Sequence, residues 1–173
     1  MKIFTETPRL LLREIIHTDL DNLFEMDSDP EVHRYLGNKP VTTKEEIEKV
    51  IEFIRQQYKE NGIGRWAMIE KASNNFIGWT GLKFVTETVN NRTNYYDLGY
   101  RLNRKFWGKG FATEGAIASL DYGFKELRLK KIIATANIEN IASNKIISNL
   151  GFELLETFKY EGESTNWYEL DHD

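Results

Sequence analysis

The sequence predicts an α/β, or α+β, fold in which a mixed, mainly antiparallel sheet carries helices on both faces. Strand-like and helix-like segments follow one another in the order strand, helices, three strands, helix, strand, helix and two strands. The length of 173 residues is that of one domain, and such a chain buries about two-thirds of its unfolded surface. No repeat, low-complexity tract or linker divides it, so residues 1–173 are predicted to form a single domain.

The first part of the chain predicts a strand followed by two helices. Residues 9–15 hold three consecutive leucines between two arginines, a run too short for a helix and too apolar for a loop. A helix is predicted over residues 18–26, ending before Pro30, because the residue preceding a proline avoids the helical region. Thr42 and the glutamate three residues later have the spacing of a capping box, and the helix that they open is predicted to run to about Lys59, where Asn61-Gly62 stops it.

The rest of the chain predicts three antiparallel strands, a helix, a strand, a helix and a closing hairpin. The strand before the last helix is almost continuously apolar, as expected of a strand covered on both faces. In chain order, these elements are predicted at residues 66–70, 76–85, 95–102, 111–127, 131–136, 143–150, 152–159 and 165–171.

Composition excludes several kinds of chemistry. The chain has no cysteine, which excludes disulfides, thiolate metal sites and a protein thiol nucleophile. Its three histidines are too scattered for a histidine site, so no metal is expected. The net charge of −4 argues against nucleic-acid binding. Without a secretory signal or an apolar run of about 18 residues, a cytoplasmic protein that does not contact membranes is expected.

The most informative segment is the turn that holds Gly108 and Gly110, between a predicted strand and a predicted helix. Glycines allow positive φ and close approach to a ligand, and the first amides of a helix are unpaired donors at the positive end of its dipole. Four cations and no acid occur from Arg101 to Lys109, although the whole chain is negatively charged. Together these features predict a site for a ligand that contains pyrophosphate.

Two known nucleotide motifs fit this turn poorly. Walker A requires lysine and then serine or threonine after its second glycine, whereas Gly110 is followed by Phe111 and Ala112. The dinucleotide pattern begins correctly at Gly108 and Gly110 but reaches Thr113 in place of its third glycine. A nucleotide-dependent enzyme and a tight turn without a ligand therefore stay open as alternatives.

The turn has the sequence Trp107-Gly108-Lys109-Gly110-Phe111-Ala112-Thr113-Glu114. This sequence resembles the GCN5-related N-acetyltransferase (GNAT) superfamily, and within it the branch that acetylates ribosomal-protein N-termini on alanine or serine. Three other segments agree with that branch in order and spacing: Thr7-Pro8-Arg9-Leu10-Leu11-Leu12-Arg13, Asp29-Pro30-Glu31-Val32 with Tyr35-Leu36-Gly37, and Asn140-Ile141-Ala142-Ser143 with Leu150-Gly151-Phe152.

The resemblance implies the acyl-CoA N-acyltransferase fold, with the sheet splayed between its fourth and fifth strands at 95–102 and 131–136. Acetyl-CoA would lie in the gap, with its pyrophosphate on the backbone of the turn and its pantetheine amides paired with the strand edge. For Asn137, capping of a strand end is an alternative. The implied cofactor-binding residues are Tyr100, Leu102, Trp107, Gly108, Lys109, Gly110, Phe111, Ala112, Asn137, Asn140 and Asn144.

The implied reaction is direct attack of a neutral amine on the thioester, without a covalent enzyme intermediate. Many members protonate the leaving thiolate with a tyrosine seven residues after the asparagine of the last motif, but that position is Ile147. In the resembled branch the hydroxyl at the Asn-x-x-Ser position is the candidate instead, so the resemblance implies Ser143 as the catalytic residue, with a helix N-cap as the alternative. Asp97 is the candidate base, with an exposed structural acid as the alternative, and water is another proton acceptor.

The acceptor is expected to be a protein N-terminal amine, with a small amine such as a polyamine or an aminoglycoside as the alternative. An acyl-CoA-binding protein without catalysis and a homodimer also stay open. The acceptor groove implied by the resemblance would be lined by Tyr35, Trp66, Tyr160, Glu161 and Trp167, although aromatic residues are as often part of the core.

Overall fold

An eight-stranded sheet forms the centre of the computed structural model, which describes residues 1–172. Every neighbouring pair of strands is antiparallel except the fifth and sixth, which run parallel, and the order in the sheet is β1-β2-β3-β4-β5-β6-β8-β7. The predicted mixed, mainly antiparallel sheet is confirmed. The strands are β1 (Ile3–Glu6), β2 (Leu10–Glu14), β3 (Arg65–Glu70), β4 (Asn75–Val85), β5 (Tyr95–Leu102), β6 (Lys131–Asn137), β7 (Glu153–Tyr160) and β8 (Glu163–Asp171).

Four α-helices cover the two faces of this sheet: α1 (Leu20–Asp27), α2 (Lys44–Asn61), α3 (Phe111–Lys125) and α4 (Ile141–Asn149). Alternate residues of a strand point to opposite faces, and along β3 Trp66 and Met68 belong to the core under α3 and α4. Ala67 and Ile69 belong to the second core, under α1 and α2. No helix within residues 1–172 has the length and apolar character needed to span a membrane.

Two local features differ from the sequence prediction. Strand β1 was not predicted, because four residues are too few for a periodic pattern to stand out. The capping box begins one residue later than predicted: Thr43 is the N-cap of α2, and Glu46 Oε2 accepts hydrogen bonds of 2.9 Å from the amides of Thr42 and Thr43. The helix ends at Asn61, about two residues beyond the predicted end, with Gly62 at φ +71°. The other bounds agree within about two residues.

Strands β5 and β6 are paired over a very short length and then diverge. They share one paired position, Asp97 with Ile133, so the remaining edge of β5 is open. The amide of Asn103 donates to the β4 backbone, and successive residues of a strand direct their backbone groups to alternate sides. The backbone groups of Tyr100 and Leu102 therefore point away from β4, into the opening. The splay that the resemblance implied is present.

Candidate active site

A cleft of about 980 Å³ runs through the opening between β5 and β6. This volume is at the upper end of the range for small-molecule sites, roughly 300–1,000 Å³. Within residues 1–172, no group of three or more histidine, aspartate or glutamate side chains is arranged to hold a metal ion. The predicted site residues that line the cleft are Asp97, Tyr100, Leu102, Trp107, Gly108, Gly110, Phe111, Ala112, Asn137, Asn140 and Ser143.

The backbone of residues 107–112 forms one end of the cleft. These residues are called the glycine turn. Gly108 and Gly110 have φ values of +74° and +81°, and a Cβ at Gly108 would meet no atom within 4 Å. Gly110 is the N-cap of α3 and offers no side chain to the helix end. The amide of Glu114 bonds to the Gly110 carbonyl at 3.1 Å, so the three amides before it have no intrahelical partner. The turn thus presents free donors suited to an anion.

The four cations from Arg101 to Lys109 do not form the concentrated positive charge that the sequence predicts. Acids at the end of α1 and just after it, distant in sequence, neutralise three of the four. Lys109 makes no ion pair within residues 1–172 and is not among the residues that line the cleft. Anion binding here would therefore depend on the backbone. The three pairs are Arg101 with Asp27 at 2.8 Å, Arg104 with Asp29 at 3.0 Å and Lys105 with Glu25 at 3.5 Å.

Two residues near the start of the chain, Thr7 and Arg9, contact the glycine turn and the first turn of α3. Arg9 Nε lies 2.7 Å from Glu114 Oε2, and Arg9 Nη1 donates to the Lys109 carbonyl at 2.9 Å. Its guanidinium lies 4.2 Å from the centre of the Phe111 ring, and the Thr7 hydroxyl donates to Glu114 Oε1 at 2.6 Å. Burial raises the pKa of Glu114, but these hydrogen bonds outweigh it and hold the pKa below its usual range. Glu114 is thus an anchor for the turn.

Two of the predicted asparagines line the cleft, Asn137 at the end of β6 and Asn140 at the start of α4. Asn137 Nδ2 donates to Glu163 Oε2 at 2.6 Å, and its Oδ1 accepts from the Glu139 amide at 2.9 Å. The hydrogen bond from the Glu139 amide is the strand-end capping that was the alternative role for Asn137. Asn140 is the N-cap of α4, and its Oδ1 accepts from the amide of Ser143 at 3.2 Å.

Asn144 has a structural role that differs from the predicted one. Its Nδ2 donates to the carbonyl oxygens of Asn137 and Asn140, at 2.9 and 2.8 Å. Its Oδ1 accepts from Asn166 Nδ2 at 2.9 Å and from the Tyr168 hydroxyl at 2.6 Å. These bonds saturate the side chain, which is not among the residues that line the cleft. The assignment of Asn144 to cofactor binding is therefore corrected.

Ser143 faces Tyr100 across the opening. Because Asn140 occupies the N-cap, the N-cap alternative for Ser143 is wrong. Ser143 Oγ lies 2.9 Å from the Tyr100 hydroxyl, which is also 3.4 Å from the Ser143 carbonyl oxygen. Burial raises the pKa of Tyr100 to about 12, so its phenol is neutral at physiological pH. Ile147 is 2% exposed and presents only an aliphatic side chain to the same cleft.

Asp97 lines the cleft as one half of an ion pair. Arg65 Nη2 donates to Asp97 Oδ2 at 2.7 Å, and Arg65 Nη1 donates to the carbonyl oxygens of Asp97 and Gly81. The Asp97 side chain is 20% exposed, so the alternative of an exposed strand acid is wrong. A Cβ at Gly99 would lie 2.9 Å from the guanidinium, so this glycine makes room for Arg65. Sequence reasoning missed Arg65, since it lies 32 residues from its partner.

Of the five residues predicted to line the acceptor groove, three line the cleft and two do not. Trp66 is fully buried and stacks on Phe4, with their ring centres 5.2 Å apart. Trp167 is also fully buried and packs edge-on against Tyr95 at 5.2 Å. Both tryptophans are core residues, which corrects their assignment to the groove. The three other residues predicted for the groove do line the cleft: Tyr35, Tyr160 and Glu161.

A family model described as an acetyltransferase (GNAT) domain matches residues 9–153, which include the glycine turn, Asp97 and Ser143. The chain belongs to the GNAT acetyltransferases. The family inferred from the glycine turn is confirmed. The GNAT domain, together with the N-acetyltransferases related to it, identifies the protein as an acyltransferase enzyme that acetylates nitrogen.

Curated relatives extend over most of this GNAT chain. The uncharacterized N-acetyltransferase p20 of Bacillus licheniformis is 35% identical over 85% of this chain and 80% of its own length. The FsC-acetyl coenzyme A-N(2)-transacetylase of Aspergillus fumigatus is 33% identical over 90% of this chain and 68% of its own length. The spermidine N(1)-acetyltransferase of Escherichia coli is 26% identical over 90% and 81%.

Solved GNAT structures share the fold over nearly the whole chain. A GNAT-family acetyltransferase from Bacillus anthracis is 28% identical, has a TM-score of 0.78 and aligns over 99% of this chain and 98% of that one. The ribosomal L7/L12 α-N-protein acetyltransferase RimL, solved with coenzyme A, has a TM-score of 0.80 at 19% identity, over 98% of both chains.

Replacing Arg9 with alanine is expected to weaken coenzyme A binding by this GNAT enzyme about tenfold. The glycine turn would lose a hydrogen bond worth on the order of 1 kcal/mol, and the ligand would have to order the turn on binding. Calorimetric titration with coenzyme A measures the change.

Arg92→Ala is the matched control for that experiment. Arg92 pairs with Glu156 at 2.7 Å and lies 4.8 Å from the Trp167 ring centre, so its contacts resemble those of Arg9. It is not among the residues that line the cleft. Equal affinities in the two variants would show that Arg9 does not position the glycine turn.

Proposed function

We propose that this GNAT enzyme transfers the acetyl group of acetyl-CoA directly to a primary amine, in the first place the N-terminal amine of a protein, with ribosomal proteins as the expected class. One observation carries the proposal: the cleft through the splayed sheet joins the glycine turn at one end to aromatic and charged side chains at the other. A ligand lying along the cleft would present its reactive end beside Ser143 and Asp97.

The open edge of β5 supports the binding of the pantetheine arm. The backbone groups of Tyr100 and the amide of Leu102 point into the opening and are available to a chain of amides, much as to an added strand. The Leu102 carbonyl points the same way but accepts from the Trp107 indole at 3.0 Å. The free amides of the glycine turn suit the pyrophosphate.

In the proposed reaction the acceptor nitrogen forms a bond to the acetyl carbon while the carbon–sulfur bond breaks, and the electron pair stays on sulfur. Ser143 would donate a hydrogen bond to that sulfur. The Oδ1 of Asp97 has no hydrogen-bond partner within residues 1–172 and would accept the proton of the attacking amine, directly or through water. The guanidinium of Arg65, held beside Asp97, would favour the neutral, reactive form of the amine.

The far end of the cleft supports an amine acceptor. Glu161 lies in the β7–β8 turn at φ +49°, is exposed, and makes no ion pair or hydrogen bond within residues 1–172. Its carboxylate would attract a cationic amine before that amine loses its proton. The neighbouring Tyr160 is 48% exposed, so this end is open enough for the N-terminal residues of a protein.

One relative supports the alternative acceptor, a small amine. The Escherichia coli relative is a spermidine N(1)-acetyltransferase, and spermidine is a small polyamine. The proposal of a protein N-terminus rests on the sequence branch and on the open end of the cleft.

A thiol-release assay with acetyl-CoA tests the proposed function. The protein has no cysteine, so every thiol detected comes from coenzyme A. Release is expected with ribosomal-protein N-terminal peptides that begin with alanine or serine, and none with the same peptides acetylated at the N-terminus. Release with spermidine or an aminoglycoside alone would replace the peptide with the small-amine acceptor. Calorimetric binding of ATP or NAD without binding of acetyl-CoA would overturn the whole assignment.

A further inference from the structure

Two hydroxyl groups meet across the opening in the sheet. Tyr100 belongs to β5 and Ser143 to α4, 43 residues apart, and their side-chain oxygens are 2.9 Å apart. Both residues line the cleft, and the Tyr100 ring packs against the core under α3 and α4. In the proposed function Ser143 and the backbone of Tyr100 each have a role, but the Tyr100 hydroxyl has none.

The positions of the acceptors restrict where the two hydroxyl hydrogens can point. The Tyr100 hydroxyl can donate to Ser143 Oγ at 2.9 Å or to the Ser143 carbonyl at 3.4 Å, and the shorter distance is the better hydrogen bond. When Tyr100 donates to Oγ, the Ser143 hydrogen is left for the cleft. When Ser143 donates to Tyr100 instead, its hydrogen is withdrawn from any ligand.

The acidities of these groups decide what they can do for a leaving thiolate. Burial raises the pKa of Tyr100 to about 12, whereas an ordinary thiol has a pKa of about 8.5. Neither this phenol nor a serine hydroxyl is acidic enough to give up its proton to a thiolate. Both can donate hydrogen bonds, and hydrogen bonds in a chain strengthen one another.

We propose that Tyr100 is a positioning residue, whose hydroxyl donates to Ser143 Oγ and so directs the Ser143 hydrogen at the sulfur of coenzyme A. This inference rests on the proposed function. As the carbon–nitrogen bond forms and the carbon–sulfur bond breaks, the charge on sulfur is stabilised by Ser143, which is in turn polarised by Tyr100. The proton of the acceptor amine leaves separately, through Asp97 or water. The pair takes the place of the tyrosine that many relatives have at the position of Ile147.

The acidity of the bound coenzyme A thiol tests this inference without turnover. The pH dependence of iodoacetamide alkylation gives the thiol pKa, and the protein has no cysteine to contribute. In the unmodified protein the bound thiol is expected to have a lower pKa than free coenzyme A. Tyr100→Phe and Ser143→Ala should each raise it by about one unit, which is a tenfold change in the ionisation constant. The double variant should raise it no further.

Tyr96→Phe is the control, because Tyr96 lies in the same strand and packs on Phe84 but is not among the residues that line the cleft. It should leave the thiol pKa unchanged. In the thiol-release assay, Tyr100→Phe should lower kcat about tenfold with little change in the affinity for coenzyme A. A fluorinated tyrosine at position 100, which is a stronger donor, should lower the thiol pKa below that of the unmodified protein.

The outcomes separate the inference from the proposed function. A thiol pKa that changes in Ser143→Ala but not in Tyr100→Phe would overturn the role of Tyr100 and leave the proposed function intact. So would equal changes in Tyr96→Phe and Tyr100→Phe. Failure of the unmodified protein to bind coenzyme A would overturn both.

Discussion

Gly108→Val is expected to reduce coenzyme A affinity at least about a hundredfold while leaving the protein folded. Gly108 has a φ of +74°, a conformation that costs a branched L-residue roughly 1–2 kcal/mol or more. The valine side chain would also project into the open space beside the turn, where the pyrophosphate is proposed to lie. Calorimetric titration measures the affinity, and circular dichroism with urea unfolding measures the fold and its stability.

Gly62→Val separates the loss of ligand contacts from the loss of stability. Gly62 caps α2 at a φ of +71°, and a Cβ there would likewise meet no atom within 4 Å. It is not among the residues that line the cleft, so the two variants should lose similar amounts of stability while Gly62→Val binds coenzyme A normally. A similar fall in affinity for both variants would contradict the view that the backbone of the glycine turn holds the phosphates.

Asp27→Ala is expected to lower the free energy of unfolding by about 2–3 kcal/mol, because it leaves the partly buried guanidinium of Arg101 without its partner. The Asp27 side chain is 5% exposed, and its Oδ1 lies 2.8 Å from Arg101 Nη1 and 3.2 Å from His33 Nε2. Among the described residues 1–172, Arg101 Nε and His33 Nδ1 are already buried without hydrogen-bond partners, so little else there can compensate. Urea unfolding near neutral pH measures the loss.

Asp21→Ala provides the control from the same helix. Its side chain is 80% exposed and pairs with Lys44 at 2.8 Å, an exposed ion pair that contributes at most about 1 kcal/mol. If both variants lost the same small amount of stability, the network around Asp27 would not be an important source of stability.

The stability difference caused by Asp27→Ala should depend on pH in a definite direction. Burial raises the pKa of Asp27, but hydrogen bonds and charge from His33 and Arg101 outweigh it and hold the pKa below the ordinary value of 3.8. The ionised carboxylate therefore stabilises the folded state above pH 3.8, and this contribution is lost as the pH falls through the folded-state pKa. The difference in the free energy of unfolding between Asp27→Ala and the unmodified protein should therefore become smaller as the pH falls below 3.8. A difference that widens below pH 3.8 would contradict this pairing.

The glycine turn could be predicted from sequence because its components are adjacent along the chain. Gly108, Gly110 and the helix start at Phe111 perform their role through the backbone, so their order is enough to indicate it. The Asn140 and Ser143 segment was also recognisable, but the hydroxyl contact of Ser143 was not. That contact depends on how α4 lies against β5, and no periodic pattern encodes such a distance.

Errors in the site came from partners that are distant in sequence. The sequence predicts that Arg101 belongs to a positive cluster because no acid occurs from Arg101 to Lys109, yet Asp27 reaches it through the packing of α1. Asp97 pairs with Arg65, which lies 32 residues away, so no local pattern indicates the pair. Trp66 has an aromatic side chain suited equally to a groove and to a core, and only its neighbours decide between them.

The single paired position between β5 and β6 divides the sheet into two parts that share little backbone hydrogen bonding. Five strands lie on one side of the position shared by Asp97 and Ile133, and three lie on the other. The apolar core under α3 continues beneath both parts, so they stay attached while few backbone bonds resist their flexing. A ligand paired with the edge of β5 would add hydrogen bonds where the two parts of the sheet share few. The bound acyl donor would then stiffen the connection between the two parts of the protein.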